Sequence, residues 1–234
     1  MQEGAHQMMG YDRASTMFSP DGRLLQVEYA KEAVKQGSTA IGIVCSNGVV
    51  LVADKRVVDK LVVADSVEKI FQVDNHIAAT AVGYVMDGRV LIERSQLIAQ
   101  QHKVTYDERM DTRALVKEIC DIKQSFTQYG GARPFGVSIL FIGIDETSPV
   151  LYVTEPTGIY FEYKATAVGE NSDLAKAMLR KEHDEKMSTE EGVKLAVKCL
   201  KKVLGKEFDS ARLDGAVIDL NTNMFSLIPS KQLK

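Results

Sequence analysis

The chain has 234 residues, of which 45% are hydrophobic and 26% are charged, as in ordinary globular proteins. Its 29 basic and 32 acidic side chains nearly cancel to a net charge of −3, which argues against a nucleic-acid-binding protein. No apolar run approaches the roughly 18 residues of a transmembrane helix, and residues 1–10 lack an apolar signal core. We therefore expect neither a membrane protein nor a secreted one.

The cysteines and histidines argue against a disulfide framework and a metal centre. The three cysteines, Cys45, Cys120 and Cys199, are odd in number and widely spaced, which fits neither paired disulfides nor a zinc ligand set. The four histidines never pair at metal-ligand spacing. We expect a cytoplasmic protein in a reducing setting, with no metal and no cofactor.

The beginning of the chain predicts a turn and a helix. Ser19-Pro20-Asp21-Gly22 is typical of a tight turn, because proline fixes φ and Asp and Gly suit turn positions. Apolar residues then recur at three-to-four spacing and predict an amphipathic helix over residues 23–36, with Gly37 as its stop. The prolines are thinly spread and no segment is of low complexity, so we expect one continuous domain over residues 1–234.

Strands and helices then follow in blocks. Two hairpins are predicted from strands 39–44, 49–53, 67–73 and 76–82, and two helices follow over 89–101 and 112–129. The second block has predicted strands 137–144, 150–154, 160–163 and 166–168, helices 172–181 and 189–204, and a closing hairpin of 216–220 and 224–228.

Three positions carry local predictions about these helices. Asp111 is the expected N-cap of the 112–129 helix, and Ser188 with Glu191 forms a capping box before the last helix. At Gly88, near a helix start, alanine should be more stable than glycine by less than about 1 kcal/mol.

The order of elements favours an α+β fold. Hairpins dominate, so the sheets should be mostly antiparallel. Strands such as 40–44 and 139–142 are apolar on both faces, so both faces must be covered. We expect a four-layer αββα sandwich over residues 38–234, with two packed sheets between two helix pairs, preceded by the extra N-terminal helix.

One group of residues suggests catalysis. If the chain were cleaved after Gly37, the hydroxyl of Ser38 or Thr39 could be activated by a new α-amine, with Asp54 and Lys69 nearby. This is the chemistry of N-terminal nucleophile hydrolases. It requires the removal of residues 1–37, whose well-formed helix is typical of a permanent element and not of a propeptide.

The same residues carry a family resemblance. Tyr11-Asp12-Arg13, the run TMFSPDGRL over residues 16–24, the run QVEYA over residues 26–30 and Gly37-Ser38-Thr39 resemble the signature of proteasome α subunits. Further similarity includes Asp54-Lys55-Arg56, Glu68-Lys69-Ile70, the run QYGGARPFGVS over residues 128–138 and Tyr163-Lys164-Ala165. The resemblance covers essentially the whole chain and is closest to the archaeal type.

The resemblance implies the N-terminal nucleophile hydrolase fold without catalysis. Family α subunits form outer rings of seven on the β-subunit rings of the 20S core, and the β subunits hold the catalytic threonines. It also implies gating by the N-terminal segment, residues 1–12, which would meet its copies at the ring axis. A rotational ring permits this, since each subunit supplies the same segment. The implied gate residues are Tyr11, Asp12, Arg13, Pro20 and Tyr29.

Two further sites follow from the resemblance. Lys69 resembles the lysine that receives the C-terminal carboxylate of an activator ATPase tail, with Glu28, Lys31 and Gly83 bordering the same pocket between adjacent subunits. The loop containing Tyr129, Gly130, Gly131 and Arg133 resembles the one that lines the narrow axial opening. The implied partners are a homo-heptameric α ring, β subunits, ring-shaped activators and unfolded polypeptides in transit, without nucleic acid or membrane.

Two alternatives remain open on the sequence. One is a self-processed hydrolase that uses Ser38 or Thr39. The other is a ring subunit that serves assembly alone and has no gate.

Overall fold

The computed structural model describes residues 10–56, 61–63, 66–146 and 148–233. Its helices are α1 (Leu25–Lys35), α2 (Val85–Tyr106), α3 (Thr112–Phe126), α4 (Ser172–Glu182) and α5 (Thr189–Leu204). Its strands are β1 (Ala40–Cys45), β2 (Gly48–Asp54), β3 (Ile70–Asp74), β4 (Ile77–Gly83), β5 (Val137–Asp145), β6 (Ser148–Thr154), β7 (Tyr160–Glu162), β8 (Ala165–Val168), β9 (Leu213–Asp219) and β10 (Met224–Leu227). Short 3₁₀ turns lie at Gly205–Glu207, Ser210–Arg212 and Ser230–Gln232.

The strands form two antiparallel five-stranded sheets. The first sheet has the order β10-β9-β2-β1-β8, and the second has the order β3-β4-β5-β6-β7. Helices α4 and α5 pack on the first sheet, α2 and α3 pack on the second, and the two sheets contact each other through β1, β2, β5 and β6. These contacts confirm the α+β class and the four layers predicted from the blocked element order.

The packing explains why the central strands are apolar on both faces. One core cluster lies between the sheets and includes Leu51, Leu140 and Leu151, all completely buried. Two further clusters fill the spaces between each sheet and its helix pair. Since each sheet is covered on both sides, alternation of polar and apolar residues is not required.

Helix α1 lies outside the two helix pairs and contacts β4 and β5. It buries Leu25, Val27, Ala30 and Val34, which are at the three-to-four spacing that predicted it. Gly37 follows this helix and approaches the end of β4 so closely that a Cβ there would lie 2.5 Å from the backbone nitrogen of Gly83. Glycine at this position therefore permits the close packing of α1 against the second sheet, besides ending the helix.

Several predicted boundaries were wrong, each for a physical reason. Helix α2 begins four residues before the predicted start, with Tyr84 at an N-cap position that makes no side-chain cap. It continues to Tyr106, where Asp107 adopts a left-handed conformation with φ 56°. Strand β3 begins at Ile70 and not at residue 67, and the backbone N–H of Lys69 donates to the Asp214 carboxylate instead of extending the strand.

Local predictions that rest on capping were confirmed. The Asp111 carboxylate accepts a hydrogen bond from the Arg113 backbone N–H at 2.9 Å. Ser188 and Glu191 form both hydrogen bonds of a capping box.

The three cysteines are buried and free. Burial raises the pKa of the Cys45 thiol to about 12 and the pKa values of the Cys120 and Cys199 thiols to about 11.

The prediction that alanine at position 88 would be more stable than Gly88 was wrong. A Cβ at this position would lie 2.5 Å from the Cβ of Ala81 on β4. Overpacking of this kind typically costs about 1–3 kcal/mol, which exceeds the roughly 1 kcal/mol that alanine gains in helix propensity.

We expect Gly88→Ala to lower the free energy of unfolding, measured by urea denaturation. Gly130→Ala is the matched control, since nothing lies within 4 Å of a Cβ there. Equal stability of Gly88→Ala and the unsubstituted chain would contradict this packing argument.

Candidate functional site

Three of the four residues that suggested catalysis, Ser38, Thr39 and Asp54, line one cleft. A cavity of about 320 Å³ is bordered by Ser38, Thr39, Asp54, Arg56, Glu170 and Arg212, among others. Ser38 and Thr39 lie between α1 and β1, while Asp54 ends β2. The sequence therefore predicted correctly that Asp54 lies near Ser38 and Thr39, whereas Lys69 is not among the residues that line this cleft.

The side chains of this cleft are engaged with one another. The Asp54 carboxylate is buried and accepts hydrogen bonds from Nε and Nη2 of Arg212, at 3.1 and 2.8 Å, and from the Arg56 backbone N–H. Arg56 forms an ion pair with Glu170 at 2.6 Å. Thr39 Oγ1 donates to the backbone carbonyl of Glu170 at 2.5 Å. The positive charges of Arg56 and Arg212 balance the negative charges of Asp54 and Glu170. The Thr39 hydroxyl proton is already used in the hydrogen bond to the Glu170 carbonyl.

The geometry lacks the base that a terminal nucleophile needs. The Ser38 nitrogen is part of a peptide bond with Gly37, whose carbonyl accepts a hydrogen bond from the Glu170 N–H at 2.8 Å. An amide nitrogen cannot take up the hydroxyl proton as a free α-amine does. The continuous chain therefore presents this cleft in an inactive arrangement.

Lys69 is held at the edge of β4. Its Nζ donates to the carbonyl oxygen of Ala81 at 2.7 Å, and the Asp214 carboxylate that accepts from its backbone N–H also pairs with Lys55 at 2.9 Å. Burial lowers the pKa of Lys69 to about 8, although Asp54 opposes the effect. The amine is therefore mainly protonated at neutral pH, and two of its three N–H groups are not used by Ala81.

The other three residues expected around Lys69 lie in two different places. Glu28 and Lys31 pair with each other along α1 at 3.4 Å. Gly83 lies with Tyr29, Gln36, Gly37 and Tyr84 along a groove of about 360 Å³ between α1 and the end of β4. A single chain thus does not assemble the expected docking residues around one cavity: Lys31 borders a different cavity from the groove beside Gly83.

The N-terminal segment is attached to α1 by its backbone. Nε2 of Gln26 donates a hydrogen bond to the carbonyl oxygen of Asp12 at 2.6 Å. The Arg13 N–H donates to the carbonyl of Gly10 at 3.2 Å. Tyr11 and Asp12 are half-buried, whereas Arg13 is exposed. Of the predicted gating segment, residues 1–9 lie outside the described residues.

The turn expected at Pro20 is present. The Gly22 N–H donates to the Ser19 carbonyl at 2.8 Å, and the Ser19 N–H donates to the Arg23 carbonyl at 2.8 Å. Gly22 has φ +74°, a conformation that glycine adopts without strain. Pro20 is exposed at the tip, and an isolated bridge between Phe18 and Leu24 closes the turn. The chain therefore enters α1 from a fixed direction.

The loop between α3 and β5, residues 127–136, holds the residues expected at an axial opening. Tyr129 is 64% exposed, and a Cβ on Gly130 or Gly131 would meet nothing within 4 Å. Gly131 has φ +85°. The carbonyl of Tyr129 lies 3.5 Å from Ser15 Oγ, which places the N-terminal segment beside this loop.

Arg133 serves to anchor the same loop. Its guanidinium binds both carboxylate oxygens of Asp87 in α2, at 2.6 and 2.7 Å, and lies 5.8 Å from the centre of the Tyr84 ring. Asp87 also accepts from the Gly136 N–H at 2.8 Å. Burial acts to raise the pKa of Asp87, but the hydrogen bonds from Arg133 and Gly136 outweigh it and lower the pKa.

Sequence reasoning missed three residues that the structure brings to these sites. Gln26 and Asp87 make the contacts just described, and Lys123 lies completely buried in the last turn of α3, where it donates to Val137 and Thr154. A lysine within the apolar stripe of the 112–129 helix was a visible signal for Lys123. The partner of Asp87 lies 46 residues away, so only the folded chain reveals it.

The described residues offer no metal centre: in the ranges that the structure covers, no three His, Cys, Asp or Glu side chains are arranged to hold an ion. Within the same ranges, no helix is long and apolar enough to cross a membrane.

Comparison with known proteins supplies the family context. Residues 34–218 match the family model for proteasome subunits, and residues 11–33 match the model for the N-terminal signature of α-type proteasome subunits. A proteasome α subunit of Methanocaldococcus jannaschii is 48% identical over 96% of this chain and 85% of its own length. One from Thermococcus sibiricus is also 48% identical over the same shares. One from Archaeoglobus fulgidus is 47% identical over 97% of this chain and 92% of its own length.

Proposed function

Because the chain belongs to the proteasome α-subunit family, we propose that it forms the outer ring of a 20S core and controls access to the proteolytic β subunits. The observation that carries the proposal is the attachment of the N-terminal signature to the fold. The Ser19–Gly22 turn and the 2.6 Å hydrogen bond between Gln26 and Asp12 hold this segment against α1. The residues before Asp12 thus start from a defined point in every subunit.

The proposed gate is formed by residues 1–12 of seven subunits around the ring axis. Tyr11, Asp12 and Arg13 make the contacts between neighbouring segments, while Pro20 and Tyr29 orient the segment. The exposed loop with Tyr129, Gly130 and Gly131 lines the narrow opening beneath the gate, and Arg133 anchors that loop to α2. Unfolded polypeptides pass this opening on the way to the β subunits.

The proposed docking site lies between adjacent subunits. Lys69 supplies a partly buried cation for the C-terminal carboxylate of an activator ATPase tail, which is a known mode of terminus recognition. Glu28, Lys31 and Gly83 border the site. The groove beside Gly83 is open in the single chain and offers room for the last residues of such a tail.

The hydrolase alternative is weakened by the cleft itself. Arg212 binds the Asp54 carboxylate, and the Thr39 hydroxyl donates to the Glu170 carbonyl, so both side chains are already engaged. A cytoplasmic location fits the three unpaired cysteines.

Reconstitution tests the proposal. We expect the purified chain to be inert on fluorogenic peptides, and the same chain mixed with a family β subunit to form a particle that hydrolyses them. The isolated β subunit is the control for its own activity. Hydrolysis by the purified chain without that partner would contradict a non-catalytic role.

A further inference from the structure

Lys123 is a completely buried lysine that joins three elements. Its Nζ donates to the carbonyl oxygen of Val137 at 2.9 Å and to Oγ1 of Thr154 at 2.9 Å. Val137 is the first residue of β5 and Thr154 is the last residue of β6. The side chain therefore links the last turn of α3 to the start of β5 and the end of β6.

The two acceptors fit an uncharged amine. A neutral lysine has two N–H groups, whereas the ammonium has three, and a buried charge without a counter-ion is costly. Among the described residues, the partners of Nζ are a backbone carbonyl and a hydroxyl, and neither is a carboxylate. The titratable groups that face it are the Cys120 thiol on α3 and the Glu155 carboxyl after β6, while β5 presents a backbone carbonyl. Burial lowers the pKa of Lys123 to about 7, and Cys120 and Glu155 oppose this only in part.

The position of Lys123 matters for the loop over residues 127–136. One end of the loop follows the helix that carries Lys123, and the other end leads into Val137. On the outside, Asp87 binds Arg133 and the Gly136 N–H. Between these anchors, Gly130 and Gly131 have open space around them. The loop is thus held at its ends by Lys123 and Asp87, while its tip has, among the described residues, only the contacts of the Tyr129 carbonyl with Ser15 Oγ and the Ala132 N–H.

We propose that Lys123 is a positioning residue that fixes both ends of the 127–136 loop in its uncharged form, and that protonation of its amine loosens the loop. Protonation adds a third N–H that has no acceptor in the described site. The hydrogen bonds to Val137 and Thr154 must then compete with hydration of a buried charge. That this loop lines the substrate passage rests on the proposed function, whereas its attachment by Lys123 does not.

Hydrogen exchange in the assembled α–β core tests this role. The comparison uses the wild type, Lys123→Met, which keeps an unbranched side chain without the amine donors, and Lys117→Met. Lys117 is exposed on the same helix and pairs only with Asp121 in the described structure, so it is the matched control. We expect amides of residues 128–136 to exchange about tenfold faster in Lys123→Met at pH 8, because two buried hydrogen bonds are lost. Lys117→Met should match the wild type.

The pH profile separates this role from simple packing. After correction for intrinsic exchange, the wild-type loop should exchange faster as the pH falls from 8 towards 7 and should level off below that. The opened loop, whose lysine has an ordinary pKa of about 10.4, binds the proton more readily than the closed loop, whose pKa is about 7. In Lys123→Met this dependence should disappear. A wild-type loop whose corrected exchange does not change with pH would overturn the proposal, even if the variant failed to assemble. Unchanged loop exchange in an assembled Lys123→Met core would overturn it as well.

Discussion

Deletion of residues 2–12 should raise the rate at which the reconstituted α–β core hydrolyses short fluorogenic peptides severalfold. If seven copies of the segment close the axial opening, deleting them removes the barrier to peptide diffusion without touching the β active sites. The measurement is the initial rate at equal particle concentration. An active-site label on the β subunits controls for the number of functional sites. An unchanged rate would contradict the gate and would favour a ring subunit that serves assembly alone.

A milder form of the same effect should follow from Gln26→Met. The substitution keeps the length of the side chain and removes the N–H that donates to the Asp12 carbonyl at 2.6 Å. Loss of one such hydrogen bond costs about 1 kcal/mol, so the segment should leave its closed position more often and peptide hydrolysis should rise a few-fold. Gln101→Met is the matched control, because Gln101 is exposed on α2 and its side chain lies outside these contacts. If the deletion of residues 2–12 accelerates hydrolysis and Gln26→Met does not, the results would support the gate but contradict the anchoring role of Gln26.

Lys69→Met should abolish stimulation of the core by activator C-terminal peptides. Removing one partner of a buried charge pair typically costs about 2–5 kcal/mol, which corresponds to at least about 30-fold weaker binding. Titration of the peptide against the core measures the effect. Lys117→Met is an exposed control on α3. Equal affinity of the Lys69→Met core and the wild type would exclude Lys69 as the docking cation.

The same site should give docking a defined pH dependence. The pKa of Lys69 is lowered to about 8, so the amine is charged below that pH and loses its proton as the pH rises through it. Peptide affinity should therefore fall above about pH 8, where the carboxylate loses its counter-charge. In Lys69→Arg the charge persists, since the guanidinium pKa lies above 12, and this fall should be absent. A wild-type affinity that stays constant from pH 7 to pH 9.5 would contradict the assignment.

The sequence alone predicted the features that depend on local chemistry. The Ser19–Gly22 turn, the Asp111 cap and the Ser188–Glu191 capping box involve residues at most four positions apart. The block order of strands and helices was sufficient for the four-layer arrangement, because doubly apolar strands must be covered on both faces. Helix α2 was predicted too short because its first turn has no side-chain cap and its exposed residues include Val85 and Met86.

Features that depend on register and distant pairing were not predictable. Lys69 meets the Ala81 carbonyl because β3 and β4 pair with Ile70 opposite Thr80. Arg133 was expected in the loop at the axial opening, and its contact with Asp87, 46 residues away, could not be read from the sequence. Gly88 was judged by helix propensity alone, whereas contact with Ala81 on another element decides its role. In each case the deciding partner lies on a different element of the fold, so local sequence patterns do not reveal it.

The most direct test of the central claim is the mass of the chain in the reconstituted particle, measured under native and denaturing conditions. We predict a ring assembly whose α chain retains residues 1–37, with a mass close to 25.8 kDa. Such a chain keeps the Gly37–Ser38 peptide bond and has no terminal nucleophile. A chain that has lost residues 1–37 and hydrolyses peptides without a β partner would contradict the account and make Ser38 the nucleophile.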